Sequence, residues 1–168
     1  NLSVENVHSY TVNGIICHNC YIMESPSDNI ESIFETAKKM ARIFSMGGGC
    51  GVNVSNLRPR DSKVHNAAKT STGAVSFLNI FNGVGETIGA NNRRAALMLG
   101  MNCDHPDIEE FLEAKNNNTE IQSANLSILF TDEFMKAVEN DERFTLRFKV
   151  EATGEVIEKT IDAHKFFM

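Results

Sequence analysis

The sequence predicts an α/β (α+β) chain, with a short β unit over residues 1–19 followed by strands alternating with helices to residue 168. Three observations carry that expectation. Asn13-Gly14 separates Tyr10-Thr-Val12 from Ile15-Ile16, and both residues of such a dipeptide tolerate positive φ, which marks a two-residue hairpin. Ile30, Ile33, Phe34, Ala37, Met40, Ala41 and Phe44 recur at helical spacing. After Gly47-Gly-Gly49 the chain keeps exchanging short apolar runs for amphipathic stretches, the pattern of layered strands and helices.

Taken in order, residues 20–24 read as a strand. Asp28 with Glu31 three residues later resembles a capping box and opens a helix over about 28–45, which the glycine triplet ends. Cys50–Val54 is a short strand and residues 55–73 a polar loop. A helix over about 74–88 presents Phe77, Phe81, Val84 and Ile88 on one face. A polar loop at 89–94 leads to the apolar stretch Ala95–Met101. Asp104-His-Pro106 opens a helix through Ala114, and Ser123–Phe130 is a strand. Thr131–Glu139 is a helix with Asp132 and Glu133 in its first turn, where carboxylates suit the helix dipole. Phe144–Val150 and Glu155–Ile161 flank Thr153-Gly154 as a hairpin, and 163–168 reads as a helix beginning. Neither end reads as a natural start or stop, so the chain is expected to be a fragment.

The totals exclude several classes. A length of 168 residues with 42% hydrophobic and 23% charged residues suits one globular domain. A net charge of −6 argues against general nucleic-acid binding. No apolar run nears the roughly 20 residues that span a membrane, and no secretory signal opens the chain. Four cysteines without regular spacing are no disulfide framework, so a cytoplasmic location is expected.

Cys17-His18-Asn19-Cys20 carries the most chemistry. An Asn side-chain amide can attack its own backbone carbonyl, forming a succinimide and breaking the following peptide bond. The reaction needs proton transfer, which suits a His. His18 adjoins Asn19, and His8 lies across the expected hairpin. Cys20 supplies a thiol able to accept an acyl group. The competing reading is a C-x2-C metal or redox pair, which would need a second ligand pair; no metal site is assigned.

Val7-His8-Ser-Tyr-Thr-Val-Asn13-Gly14-Ile-Ile-Cys-His18-Asn19 followed by Cys20 resembles the C-terminal splicing motifs of inteins. The resemblance implies that residues 1–19 are an intein remnant, that Asn19 cyclises with help from His18 and His8, and that Cys20 is the acceptor. It also implies a partner, the intein's N-terminal half, without which this chain does not splice.

Residues 20–168 resemble part of the catalytic chain of ribonucleotide reductases, most nearly the adenosylcobalamin-dependent (class II) type. Cys20-Tyr-Ile-Met, Asp28-Asn-Ile-Glu-Ser-Ile33, Gly47-Gly-Gly-Cys-Gly-Val-Asn-Val-Ser-Asn-Leu-Arg-Pro59 and Ser71-Thr-Gly-Ala-Val-Ser-Phe77 carry it. Asn92-Arg-Arg-Ala-Ala96, Asp104-His-Pro-Asp-Ile-Glu-Glu-Phe111 and Asp132-Glu-Phe-Met-Lys-Ala-Val138 follow in order. The resemblance implies a partial α/β-barrel in an enzyme that reduces ribonucleoside di- or triphosphates with a cobalamin-derived radical. Cys20 would be half of a redox dithiol, recharged by a reductant such as thioredoxin, with its partner Cys beyond residue 168. Gly48 and Gly49 would line the substrate, and Cys50 would be packing. Asp28 and Arg58 would contact a deoxynucleotide or ATP effector, with Arg93 in the loop that relays effector identity. Arg58, Arg60, Lys63 and Lys69 form a local basic cluster suited to phosphate. A homodimer of the full chain is implied as well. The rivals are a di-iron-dependent (class I) large chain, an autoprocessing element with an incidental host segment, and a nucleotide-binding regulatory module.

Overall fold

The computed structural model describes residues 9–12, 15–18, 20–64, 68–88, 95–117, 121 and 123–168. Asn1, His8, Asn13, Gly14, Asn19 and Arg93 lie outside that set.

Two short strands, β1 (Ser9–Val12) and β2 (Ile15–His18), pair antiparallel with Val12 opposite Ile15 and Ser9 opposite His18. That register leaves a two-residue connection, as the Asn-Gly dipeptide predicts. The body of the chain is a parallel sheet of β3 (Tyr21–Ile22), β4 (Cys50–Asn53), β5 (Leu97–Asn102) and β6 (Ala124–Leu129), ordered β3-β4-β5-β6. Helices make the crossovers: α1 (Ile30–Ser45), α2 (Leu78–Thr87, entered through a 3₁₀ turn at Val75–Phe77) and α3 (Ile108–Asn117). Sequential parallel strands joined by helices are the repeating unit of an α/β barrel wall, and closure of a barrel is not seen among the described residues. Then come α4 (Asp132–Glu139), the hairpin β7 (Arg143–Lys149) and β8 (Val156–Asp162), and α5 (Ala163–Phe167). Phe134 of α4 packs edge-on against Phe144 of β7 and Phe166 of α5, with ring centroids 5.1 and 5.9 Å apart.

The sheet's two faces differ. Cys50, Val52, Leu97, Leu99, Met101 and Ala124 are buried in one core with Ile33, Met40, Phe44 and Phe81 of α1 and α2. The alternate positions are less covered: Ile22 is 95% exposed, Met98 50% and Leu129 47%. Parallel strands normally read as apolar runs covered on both faces. Here Gly51, Asn53, Gly100, Asn102 and Ser127 dilute the second face with small and polar residues, and Asn53 Nδ2 donates to Asn102 Oδ1 at 2.9 Å.

Three expectations need correction. The cap of α1 is Asn29, whose Oδ1 accepts from Ser32 N at 2.8 Å, and the helix starts at Ile30. Asp28 does not cap it, because its carboxylate is engaged by Arg58. The buried face of α2 is Leu78, Phe81, Asn82 and Gly85, with Phe77, Val84 and Ile88 only partly covered. The 3₁₀ entry turns the helix relative to a continuous 3.6-residue count. The third helix begins at Ile108, after the turn that Asp104-His-Pro106 occupies.

The stop of α1 follows expectation. Gly47, at φ +77°, donates to Phe44 O at 2.9 Å and Gly48 N donates to Ile43 O at 3.0 Å, the paired bonds of a Schellman ending.

The face assignment predicts unequal costs along β5. Leu99→Ala should destabilise by roughly 2–5 kcal/mol and Met98→Ala by less than about 1 kcal/mol, read from urea unfolding midpoints. Equal losses would contradict the assignment.

Candidate functional site

Two groups of sequence-predicted residues come together, at opposite ends of the sheet. The first lies at the amino ends of the strands. Tyr21 N donates to Gly49 O at 2.8 Å and Cys50 N to Ala96 O at 2.9 Å, extending the ladder one residue back. Cys20, Gly49 and Ala96 are therefore neighbours on the less covered face. A Cβ on Gly49 would lie 2.9 Å from Cys20 Sγ and 2.8 Å from Ala96 Cβ. Such approaches exclude any side chain there, so Gly49 is the floor on which the Cys20 thiol rests. Gly48 is restricted as well, since its Cβ would sit 2.9 Å from Ile43 Cγ2. Cys20 is exposed. Cys50 points into the core, and burial, with a smaller effect of Cys20, pushes its thiol up to about 12. A thiol so placed stays protonated and unreactive, in keeping with packing. Among the described cysteines at this end, Cys20 is exposed and Cys50 is buried.

The second group lies at the carboxyl ends of β3 and β4, where open α/β sheets place their ligands. Arg58 Nε donates to Asp28 Oδ2 at 2.7 Å and Arg58 N to Asp28 Oδ1 at 3.0 Å. The guanidinium also donates to Lys63 O at 3.1 Å. Both side chains are largely buried, at 16% and 24% exposure. The pair borders a pocket of about 460 Å³ whose walls include Asn29, Thr70, Ser71 and Thr72. The tip of the β7–β8 hairpin reaches it through Ala152. Arg60, expected in the same basic cluster, pairs instead with Glu110 of α3. The cluster is thus less positive than its sequence reads.

Sequence reasoning missed what holds this loop. His105 and Asp107 are 2% and 7% exposed. The Asp107 carboxylate accepts from Arg60 N at 3.1 Å and from Ala74 N at 3.0 Å. His105 Nε2 donates to Leu57 O at 2.9 Å, and its Nδ1 accepts from Asp107 N at 3.1 Å, so the neutral ring is satisfied on both sides. Burial holds this imidazole below its ordinary range, against the opposing pull of the Leu57 carbonyl, Asp107, Asp104 and Asp28. Burial likewise raises the Asp107 carboxyl, although the Arg60 amide, His105 and the Ala74 amide oppose it. The only signal in the sequence was the motif Asp104–Phe111, read there as a helix opening. Asn82 is a second buried anchor, accepting from Ser123 N and Ala124 N at 3.1 Å each and tying α2 to β6.

A pocket of about 800 Å³ lies between β3 and α1, lined by Tyr21, Ile22, Met23 and Ile43 and edged by Glu31, Glu35, Lys39 and Arg42. Among the described residues no three His, Cys, Asp or Glu side chains gather as a metal site, and no helix is long and apolar enough to cross a membrane.

The family described as "Ribonucleotide reductase, barrel domain" matches residues 18–165. A vitamin B12-dependent ribonucleoside-diphosphate reductase of Thermoplasma acidophilum is 37% identical over 125 residues, 73% of this chain and 16% of the relative. A vitamin B12-dependent ribonucleotide reductase of Streptomyces clavuligerus is 35% identical, over 88% of this chain and 18% of the relative. A ribonucleoside-diphosphate reductase large chain of Neurospora crassa is 32% identical, over 80% of this chain and 15% of the relative. The chain spans less than a fifth of the length of these relatives.

A buried neutral histidine makes a pH prediction. The unfolded chain takes up a proton at His105 near the ordinary value of about 6.5, before the folded chain does. Stability from this residue is full above that pH and falls as the solution is acidified below it. Asp107, with its raised carboxyl, acts in the opposite sense, its contribution falling as the pH rises from about 3.9. Urea unfolding at pH 7.0 and 5.5 should show a loss that is smaller in His105→Asn. An equal loss in both proteins would contradict the assignment.

Proposed function

The chain belongs to the ribonucleotide reductase barrel-domain family, and from that premise we propose that it is a segment of a cobalamin-dependent catalytic chain that converts ribonucleotides to deoxyribonucleotides. The observation that carries the reading is the exposed Cys20 thiol on the floor formed by Gly49, on the face of the sheet that its helices leave free. A sulfur there can meet a substrate lying across that face, with the backbone of Gly48 and Gly49 close to the ligand because no Cβ intervenes. Cys20 acts with a second thiol from beyond residue 168. Together they give up two electrons and two protons and become a disulfide, while the ribose exchanges its 2′-hydroxyl for hydrogen and water leaves. A dithiol such as thioredoxin resets the pair by disulfide exchange. Adenosylcobalamin supplies the radical that makes the ribose reactive. The names of several relatives favour this over the di-iron-dependent class I reading.

At the other end, the Asp28–Arg58 pocket takes a deoxynucleoside triphosphate or ATP as effector. Asp28 fixes the Arg58 fork and Thr70 and Thr72 offer hydroxyls, while Arg93 serves in the loop that relays effector identity in a homodimer of the full chain.

A second reading concerns residues 1–19. The family match begins at residue 18, the last residue of the β1–β2 hairpin. This supports an intein remnant in which Asn19 cyclises with His18 and His8 assisting, and the Cys20 thiol accepts the acyl chain. The cysteine required for joining is then the one required for reduction.

Two experiments follow. In the full-length protein supplied with adenosylcobalamin and a dithiol, Cys20→Ser should abolish deoxyribonucleotide formation, and the 168-residue chain by itself should form none. Unchanged turnover in Cys20→Ser, or turnover by the short chain, would sink the assignment. Mixing the chain with the N-terminal half of the intein should release residues 1–19, seen by mass spectrometry, and Asn19→Ala should prevent it. Retention of residues 1–19 in the unaltered chain would count against splicing.

A further inference from the structure

We infer that Asp107 is a positioning residue for the effector pocket. It is a single buried carboxylate that ties both ends of the Arg58-bearing loop and so sets where Arg58, Thr70 and Thr72 stand. The inference rests on the effector reading above and extends it to a residue outside the pocket.

The loop leaves β4, turns back on itself and returns to the 3₁₀ turn before α2. Its strands of backbone are joined by Asp61 N to Ser71 O at 3.0 Å, Ser71 N to Ser62 O at 2.8 Å and Val64 N to Lys69 O at 2.9 Å. These bonds shape the loop internally but attach it to nothing. Asp28 holds Arg58 directly, and Asp107 attaches both ends of the loop at once: it takes the amide of Arg60 at the outgoing end with both oxygens, each at 3.1 Å, and the amide of Ala74 at the returning end. Arg58 is two residues from the first of these bonds and Thr72 two residues from the second.

The carboxylate is used against local habit. The Asp107 carbonyl accepts the first bond of α3, from Phe111 N at 2.9 Å, which puts Asp107 in the place of a helix cap. A cap side chain ordinarily satisfies the amides of its own helix, whereas this one reaches residues 47 and 33 positions away. A local rule broken in favour of a distant loop marks a site kept for a purpose.

Space around the carboxylate has been cleared for this contact. Gly73 has φ +88°, and a Cβ there would lie 2.8 Å from Asp107 Oδ2 and 2.9 Å from Arg60 Cβ. Glycine is required twice over, by conformation and by contact. Neighbouring bonds stiffen the arrangement: His105 holds Leu57 O just before Arg58, and Glu110, one turn along α3, holds the Arg60 guanidinium. The chain therefore reads the position of α3 into the pocket through one carboxylate. A shift of α3 relative to β4 moves both ends of the loop together.

The test compares Asp107→Ala and Asp107→Asn with Leu99→Ala, a buried core variant in β5 outside the loop. Backbone amide exchange at Arg60 and Ala74, stability, and binding of magnesium dTTP are measured on each. Asp107→Ala should release the Arg60 and Ala74 amides and weaken dTTP binding by about tenfold, the size of one lost charge-assisted contact. Asp107→Asn keeps one acceptor oxygen and should recover part of both. Leu99→Ala should lose stability while keeping both amides protected and its dTTP affinity unchanged below its melting range. The inference is overturned if the two amides stay protected in Asp107→Ala. It is equally overturned if dTTP binding is unchanged once they are released, or if Leu99→Ala weakens binding as much at matched stability. Failure of the unaltered protein to bind dTTP would overturn the effector reading instead, and the amide exchange then decides the clamp alone.

Discussion

The parallel register of β3 to β6 is the constraint on which the rest of the molecule depends. Side chains alternate between faces along a strand, so pairing Cys50 with Leu97 and Leu97 with Ala124 sends one set of positions to the helices and the other set away from them. The helix side takes Cys50, Val52, Leu97, Leu99 and Met101 and makes the core. The far side takes Cys20, Gly49, Gly51, Met98 and Gly100, which leaves the Cys20 thiol exposed beside small residues, with Ile22 and Met98 exposed further along. A one-residue slip would bury Cys20 and expose Cys50. Two cysteines of the same type, at adjoining strands, thus acquire opposite chemistry from register alone.

A parallel sheet also concentrates its loops. Crossover helices return every strand in the same direction, so the connections after β3, β4 and β5 gather at one end. There the Asp28–Arg58 pair joins the first two connections, and His105 and Asp107 join the second to the third. The interactions are polar and largely buried, which makes them costly to leave unpaired. They specify one arrangement of a long loop that has little apolar surface of its own.

Much of this was legible in the chain and some was not. The helix expected over about 28–45, the strands at 50 and 124 and the closing hairpin follow from periodicity and turn residues, which are local properties; Ala95–Met101 read only as an apolar stretch, and β5 lies there. The glycine triplet was legible as a helix stop, and Gly47 and Gly48 make that stop. What Gly49 does depends on Cys20 and Ala96, residues 29 before and 47 after it, which no local pattern relates. Asp28 looked like a cap because Glu31 follows at the right spacing. Tertiary competition from Arg58 removed it, and Asn29 took the role with equally good chemistry. Basic residues in the 55–73 loop suggested an open phosphate site, but the acidic partners that engage Arg58 and Arg60 lie 30 and 50 residues away. The buried pair His105 and Asp107 was invisible for the same reason: its partners belong to another loop.

The account stands on Cys20 facing the free side of the sheet while Cys50 and Cys103 face the core. Alkylation of the native chain, resolved by peptide mass, tests this directly. Cys20 should react at the rate of an open thiol, with Cys50 and Cys103 protected until urea unfolds the chain. Protection of Cys20, or labelling of Cys50 at a comparable rate under native conditions, would contradict the register and the function built on it.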